Sequence, residues 1–318
     1  MSTVTGPTPG VASAHPRTRP RWTARRRKEA RAGYLFLLPW FVGLAALVIG
    51  PMVTSAYLSF TEYDLFHDPV WVGLENYRTL FTDDPRYLQS LRVTFTYVLV
   101  SVPLRLVVAL GLAVLMNRTL RGMSFYRAAL YLPSLLGGSV AIAVLWRQLF
   151  GSSGAINQLL ALVGIDGPNW IASPDTSLAT LIVLAIWQFG SPMVIFLAGL
   201  RQIPGELLEA ARVDGAGTVR RFVSVTLPLL TPLVFFNLVM QTIVAFQAFT
   251  PSFIISNGTG GPVDSTLFYT LYLYIKGFGE FEMGYASAMA WVLVAIIAAF
   301  TAVNFLGARR WVHYSDES

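Results

Sequence analysis

The sequence has no cysteine, only two lysines and three histidines, and a low share of charged residues, 13%. Without cysteine it forms neither disulfides nor thiolate metal sites. A phosphate-binding loop of the G-x-x-x-x-G-K-[ST] type needs a lysine followed by Ser or Thr. Here Lys28 precedes Glu29 and Lys276 precedes Gly277, so the chain does not bind ATP by that device. His15, His67 and His313 lie outside every long apolar stretch. The run Gly151-Ser152-Ser153-Gly154 therefore has no histidine base within a membrane and reads as a loop, not an intramembrane serine nucleophile. The apolar stretches also hold no Asp or Glu. Transporters driven by protons or sodium usually place carboxylates there, which argues against ion-coupled transport by this chain. No catalytic site, metal or cofactor is expected.

What the chain has in abundance is apolar sequence. It is 54% hydrophobic with a mean hydropathy of +0.57, whereas ordinary globular chains carry roughly a quarter charged residues. A helix crosses a bilayer in about 20 predominantly apolar residues. Six such stretches are read, at about 34–57, 93–116, 128–150, 178–200, 227–249 and 285–306. The expected fold is an all-α membrane protein of six transmembrane helices, its body spanning residues 25–310.

The net charge of +6 could suggest a nucleic-acid partner, but the placement of the basic residues points to the lipid bilayer. Arg17, Arg19, Arg21, Arg25, Arg26, Arg27, Lys28 and Arg31 precede the first span. Arg118, Arg121 and Arg127 follow the second, Arg201, Arg212, Arg220 and Arg221 the fourth, and Arg309 and Arg310 the sixth. The opposite loops carry Arg78, Arg86 and Lys276 among many acids, including Glu62, Asp64, Glu75, Asp83, Asp84, Asp264, Glu280 and Glu282. By the positive-inside rule the arginine-rich side is cytoplasmic. An even number of spans then puts both termini in the cytoplasm of a bacterial cell, in a multi-pass inner-membrane protein.

Residues 1–24 are rich in Pro, Ser, Thr, Gly and Arg and have too little apolar surface to fold alone, so a disordered cytoplasmic tail is expected there. A cleaved secretion signal would also place a basic stretch before an apolar one, but this apolar block is far longer than a signal core. Residues 311–318 form a second short tail.

The cytoplasmic loop at 201–226 has the pattern of a folded element. Pro204 suits the first turn of a helix, and Glu206 and Glu209 sit near its positive end. Leu207, Leu208 and Ala211 form an apolar stripe, Gly215 permits the left-handed turn that ends the helix, and a second short helix is expected from about Thr218, carrying Arg220 and Arg221. Small Ala210 and Ala211 leave room for another surface to approach closely.

Within that loop Glu209-Ala210-Ala211, three residues, Gly215, nine residues, Val225, one residue and Leu227-Pro228 resemble the E-A-A-x3-G-x9-I-x-L-P signature of the permease subunits of binding-protein-dependent ABC importers, with Val225 in place of isoleucine. Asp214-Gly215-Ala216, Gly199 to Pro204, Val72-Gly73-Leu74-Glu75-Asn76-Tyr77, Tyr131-Leu132-Pro133 and Asn257 to Pro262 resemble the maltose-type, carbohydrate-importing branch. The resemblance covers roughly residues 30–310. It implies a type I importer permease fold with a cytoplasmic coupling helix. It also implies partners: a second permease subunit in a heterodimer, two cytoplasmic ATPase subunits docked on such loops, and an extracytoplasmic solute-binding protein that delivers a carbohydrate. Glu209, Ala210, Ala211, Asp214 and Gly215 are then the expected ATPase contact.

A solute site inside a bundle needs polar groups and interrupted helices. Proline frees the carbonyl four residues back, so Pro192 frees that of Gln188 and Pro251 that of Gln247. Trp187, Phe189, Phe246 and Phe249 lie beside them, and sugars need hydrogen-bonding groups and flat apolar faces together. Asn237 and Gln241 are one turn apart. Gln247 lies about 120° round the helix from Gln241, so both reach one cavity only if the helix distorts near Pro251. Such amides also serve as interhelical glue. Arg105 is the charge deep in a span, suited to bind broken-helix carbonyls, near Pro133 for example, or an anionic solute group. Arg147 is expected to reach the membrane interface. Two alternatives to a sugar importer subunit stay open at this point: a permease for another polar solute, such as a glycerol-phosphate-type anion, and a membrane subunit that docks a cytoplasmic enzyme without transport.

Overall fold

The computed structural model describes residues 24–117 and 122–312. The two expected tails fall largely outside these residues, as do Arg118 and Arg121. Among the described residues, five helices are long and apolar enough to cross a membrane: Gly33–Leu58, Pro85–Met116, Pro174–Gln202, Thr218–Ile255 and Met283–Trp311. A sixth crossing is supplied if the helix pair Met123–Leu136 and Val140–Leu149, bent by 99°, counts as one.

Residues up to Thr54 form one compact unit and those from Ser55 another. In the first, helix Ala24–Leu44 passes through a wide turn, Ala45–Ile49. Pro51 has no N–H to give the carbonyl of Leu47, and the ladder loosens where that bond is missing. Tyr34, Phe36, Trp40, Leu47 and Val53 are exposed, the pattern of a helix apolar all round.

In the second unit, Pro85–Met116 forms the centre. Asp84 caps it, accepting from the Tyr87 N–H at 3.0 Å, with Pro85 at the first helical position. Cap and proline together start the helix eight residues earlier than the apolar run alone suggests. Its buried residues, Tyr87, Ser90, Thr94, Tyr97, Ser101, Ala109 and Ala113 among them, recur every three or four positions and so share a face. That face packs against both halves of Pro174–Gln202 and against the fifth span. Small residues permit the closest approaches, as membrane bundles require. A Cβ on Gly199 would lie 2.1 Å from Leu233 Cδ1, and one on Gly190 2.7 Å from Ser134 Oγ.

The expected third span, 128–150, is not one straight helix. It breaks at Gly137 and Gly138, and Ser139 starts a new helix by accepting the Ile142 N–H at 3.3 Å. The apolar composition runs on across this corner, which is why hydropathy reads it as continuous. The fourth span breaks at Gln188, between helices Pro174–Trp187 and Gly190–Gln202, as Pro192 suggests. In the cytoplasmic loop, the expected second short helix is not separate. Thr218–Arg221 runs through a wide turn, Phe222–Thr226, straight into Leu227–Phe246.

At the opposite end, strands β1 (Thr61–Glu62) and β2 (Val70–Trp71) pair antiparallel, Thr61 opposite Trp71. The Asn76 amide donates to the carbonyls of Ser59 at 3.0 Å and Thr61 at 2.9 Å, and the Tyr77 hydroxyl to Ser59 Oγ at 2.8 Å. The Val72 to Tyr77 segment thereby ties the small sheet to the end of the first span. The last span begins against β1, where Gly284 donates its N–H to the Tyr63 carbonyl at 3.1 Å.

Candidate functional site

A cavity of about 270 Å³ lies where the broken helices meet. Gln188, Gln241, Gln247 and Arg105 all line it, with Tyr97, Ser101 and Phe249. The fifth span makes this possible by ending at Phe246, so that Gln247 leaves the helical path (φ −93°, ψ 6°) before a new helix starts at Thr250. Gln241 and Gln247 thus reach one space, as the condition on Pro251 demands. Asn237 does not join them. It is 1% exposed, and its Nδ2 donates at 2.9 Å to the Leu233 carbonyl of its own helix.

Gln188 is committed at both ends. Its carbonyl, which Pro192 leaves without a helical partner, accepts from Arg105 Nη2 and, at 2.9 Å, from Ser134 Oγ. Ser134 Oγ in turn accepts the Ser191 N–H at 2.9 Å. The Gln188 side-chain amide donates to the Gly137 carbonyl at 3.2 Å, and a Cβ on Gly137 would lie 2.2 Å from Gln188 Cγ. The corner of the third span and the break of the fourth therefore satisfy each other's backbone, as groups buried in a membrane must. Arg105 binds a broken-helix carbonyl, that of Gln188 in the fourth span, which also accepts from Ser134 beside Pro133. Ser134 is a member of this joint that sequence reasoning missed. Its only sequence signal is its place right after Tyr131-Leu132-Pro133.

At the cytoplasmic end, helix Gly205–Val213 starts right after Pro204, which makes no side-chain capping bond, with Glu206 in its first turn and Arg212 in its last. Gly215 takes φ +78°, and the Ala216 N–H returns to the Ala211 carbonyl at 2.9 Å, closing the helix end. Leu208 and Ala211 are half-buried, and Leu208 shares a cleft with Leu200, Phe222 and Thr226. Glu206, Glu209, Ala210 and Val213 are exposed on the opposite side, Val213 at 88%. Asp214 and Gly215 are exposed beside them.

An exposed helical knob below a cavity at broken spans fits an energised pathway, and the family comparison decides the matter. The model of the binding-protein-dependent transport system inner membrane component family matches residues 85–312. The chain belongs to that family. It is 54% identical over 292 residues to the "Probable ABC transporter permease protein YesP" of Bacillus subtilis (strain 168), covering 92% of this chain and 94% of YesP. It is 34% identical over 288 residues to the "Sulfoquinovosyl glycerol transport system permease protein SmoG" of Agrobacterium fabrum, covering 89% and 92%. A chain of the crystal structure of a bacterial alginate ABC transporter, solved with an alginate pentasaccharide-bound periplasmic protein, superposes with a TM-score of 0.78 at 20% identity, covering 91% of this chain and 98% of that one. The fold is thus that of a type I importer permease. The chain is an inner-membrane transport subunit of an ABC importer, not a catalytic one.

The permease has a second polar cluster, opposite the cytoplasmic loop, whose charged members the sequence places in separate loops. Asp84 Oδ2 accepts from the hydroxyls of Tyr272 at 2.7 Å and Tyr285 at 2.6 Å. Lys276 bonds Glu280 at 2.7 Å and Glu282 at 3.1 Å and lies over both tyrosine rings. Arg86 grips Asp264 with two bonds, at 2.7 and 3.0 Å. Burial opposes ionisation of Asp84, but the two hydroxyls, the Tyr87 N–H and the charge of Lys276 outweigh it and hold the carboxyl below its ordinary value of 3.8. A lowered folded-state pKa stabilises at pH above the ordinary value and stops doing so as pH falls through the folded-state value. Asp84→Ala is expected to remove the helix cap, about 1 kcal/mol, and to strand two hydroxyls at about 1 kcal/mol or more each. Thermal unfolding at neutral pH should show the loss, and the difference between wild type and variant should narrow only as pH falls below the ordinary value of 3.8 and through the lower folded-state value. Arg147 reaches across to this side, bonding the carbonyl of Ile254 at 3.3 Å and the Asn257 side chain. It ties the end of the third span to the segment after the fifth.

Proposed function

We propose that this permease forms half of the membrane pathway for a sugar handed over by an extracytoplasmic binding protein, in a heterodimer with a second permease and driven by two cytoplasmic ATPase subunits. The observation that carries the reading is the cavity at the broken fourth and fifth spans, which Gln241, Gln247 and the aromatic Phe249 all line. Among the described residues these two amides have no hydrogen-bond partner of their own. A sugar ring offers hydroxyls to the amides and a C–H face to the phenyl ring. The name of SmoG, and the pentasaccharide of the alginate transporter, support a carbohydrate import system. The ATPase contact falls on Glu209, Ala210, Ala211, Asp214 and Gly215, of which Glu209, Ala210, Asp214 and Gly215 are exposed.

Gln241→Ala is the direct test, because its amide bonds no other part of the protein. Uptake in membrane vesicles should show an apparent KM raised about threefold to tenfold, the worth of one or two neutral hydrogen bonds, with the assembled complex recovered in full. Gln188→Ala should behave differently, lowering both uptake and thermal stability, because it strands the Gly137 carbonyl. Unchanged kinetics for Gln241→Ala would return that residue to interhelical packing.

A further inference from the structure

The charge balance of the cavity is not that of a neutral-sugar site. Arg105 lines it from the second span, deep in the bilayer, where an ionised side chain is costly and needs partners. No acid occurs in the stretch 85–116 or in 218–255, and among the described residues Arg105 has no ion-pair partner. Its one hydrogen bond, from Nη2 to the Gln188 carbonyl, leaves Nε buried and unpaired. One turn away on the same face, Ser101 also lines the cavity, is 1% exposed, and has an unpaired hydroxyl. Tyr97 extends the row by another turn. A buried polar group without a partner costs about 1–3 kcal/mol, more if charged, so two of them on cavity-lining residues one helical turn apart mark a place that a ligand completes.

We propose that the solute is an acidic sugar, with Arg105 and Ser101 receiving its anionic group. This rests on the sugar reading above and gives it a charge. The amides of Gln241 and Gln247 and the ring of Phe249 face the neutral part of the solute, while the row on the second span supplies one positive charge and one hydroxyl. A carboxylate or sulfonate accepts from both at once, and it neutralises the guanidinium without displacing the carbonyl of Gln188.

The test uses the complete importer, with its binding protein, in membrane vesicles. The solutes are aldobiouronic acids paired with the neutral disaccharides that differ only by CH2OH in place of the carboxylate. Acidic members should be taken up in preference to their neutral parents. Arg105→Gln should raise the apparent KM for the acid about tenfold or more, as for a lost hydrogen bond to a charged group, and Arg105→Lys should recover most of it. Because Ser101 Oγ has no hydrogen-bond partner among the described residues, Ser101→Ala leaves the packing intact, and a rise of about threefold in KM for the acid reports solute contact. Preferential uptake of the neutral members would overturn the acidic-sugar proposal and leave the sugar reading standing. Unchanged KM in Ser101→Ala, together with equal losses in Arg105→Gln and Arg105→Lys, would reduce the row to a scaffold for Gln188. Uptake of glycerol phosphate but of no sugar would overturn the sugar reading itself.

Discussion

Glu209→Lys and Gly215→Val are expected to abolish solute uptake while leaving the spans inserted and the second permease bound. The two act by different routes. Open space surrounds a Cβ added to Gly215, so no clash arises there. The cost is conformational, because φ is +78° and a β-branched residue avoids that region by about 1–2 kcal/mol or more. That suffices to shift the helix end out of its closed turn about tenfold. Glu209 is exposed on the helix face that carries Ala210 and Val213, and lysine there reverses the charge offered to a docking surface. Purified complexes should retain less ATPase subunit, or show no rise in ATP hydrolysis when loaded binding protein is added. Full stimulated hydrolysis in both variants would sink the coupling role of residues 204–217.

Gly284→Val should have the largest effect on the fold. A Cβ at Gly284 would lie 2.0 Å from the backbone oxygen of Thr61 and 3.2 Å from the Tyr63 nitrogen. Backbone in a paired strand yields far less than the tip of a side chain, so β1 must leave the start of the last span. The loss should be about 3 kcal/mol or more, at the upper end of overpacking effects. Gly307, further along the same helix, has nothing within 4 Å of an added Cβ. Gly307→Ala should therefore hold or slightly raise the unfolding temperature. Thermal unfolding of the two variants side by side checks the pair, and a Gly284→Val protein as stable as wild type would show that β1 does not press on that helix.

Much of this was legible from residue types alone. Hydropathy located the crossings, and the asymmetry of arginine oriented them. Pro192 and Pro251 marked where helices break, since a missing N–H has a fixed consequence four residues back. Gly215 announced its own left-handed turn. What sequence could not supply was which broken groups find each other. The corner at Gly137 carries no charge or change in hydropathy, so an apolar scale runs straight through it. Asn237 and Gln241 share a helix face by periodicity, yet only Gln241 reaches the cavity, because Asn237 turns back onto the Leu233 carbonyl. Ser134 is one serine among many until Gln188 and Ser191 are seen on either side of it. The cluster around Asp84 joins residues nearly two hundred positions apart, a pairing that no local pattern encodes.

The helical path from Thr218 through the wide turn Phe222–Thr226 to Phe246 links the cytoplasmic loop to the cavity wall without a loop between them. At 1.5 Å per residue it is about 42 Å long, with Gln241 about 35 Å from its cytoplasmic end. Pivoting that end through about 5° carries the Gln241 amide sideways by about 3 Å, the length of a hydrogen bond. A small angular movement imposed at the loop is therefore enough to make or break the contacts that hold a solute.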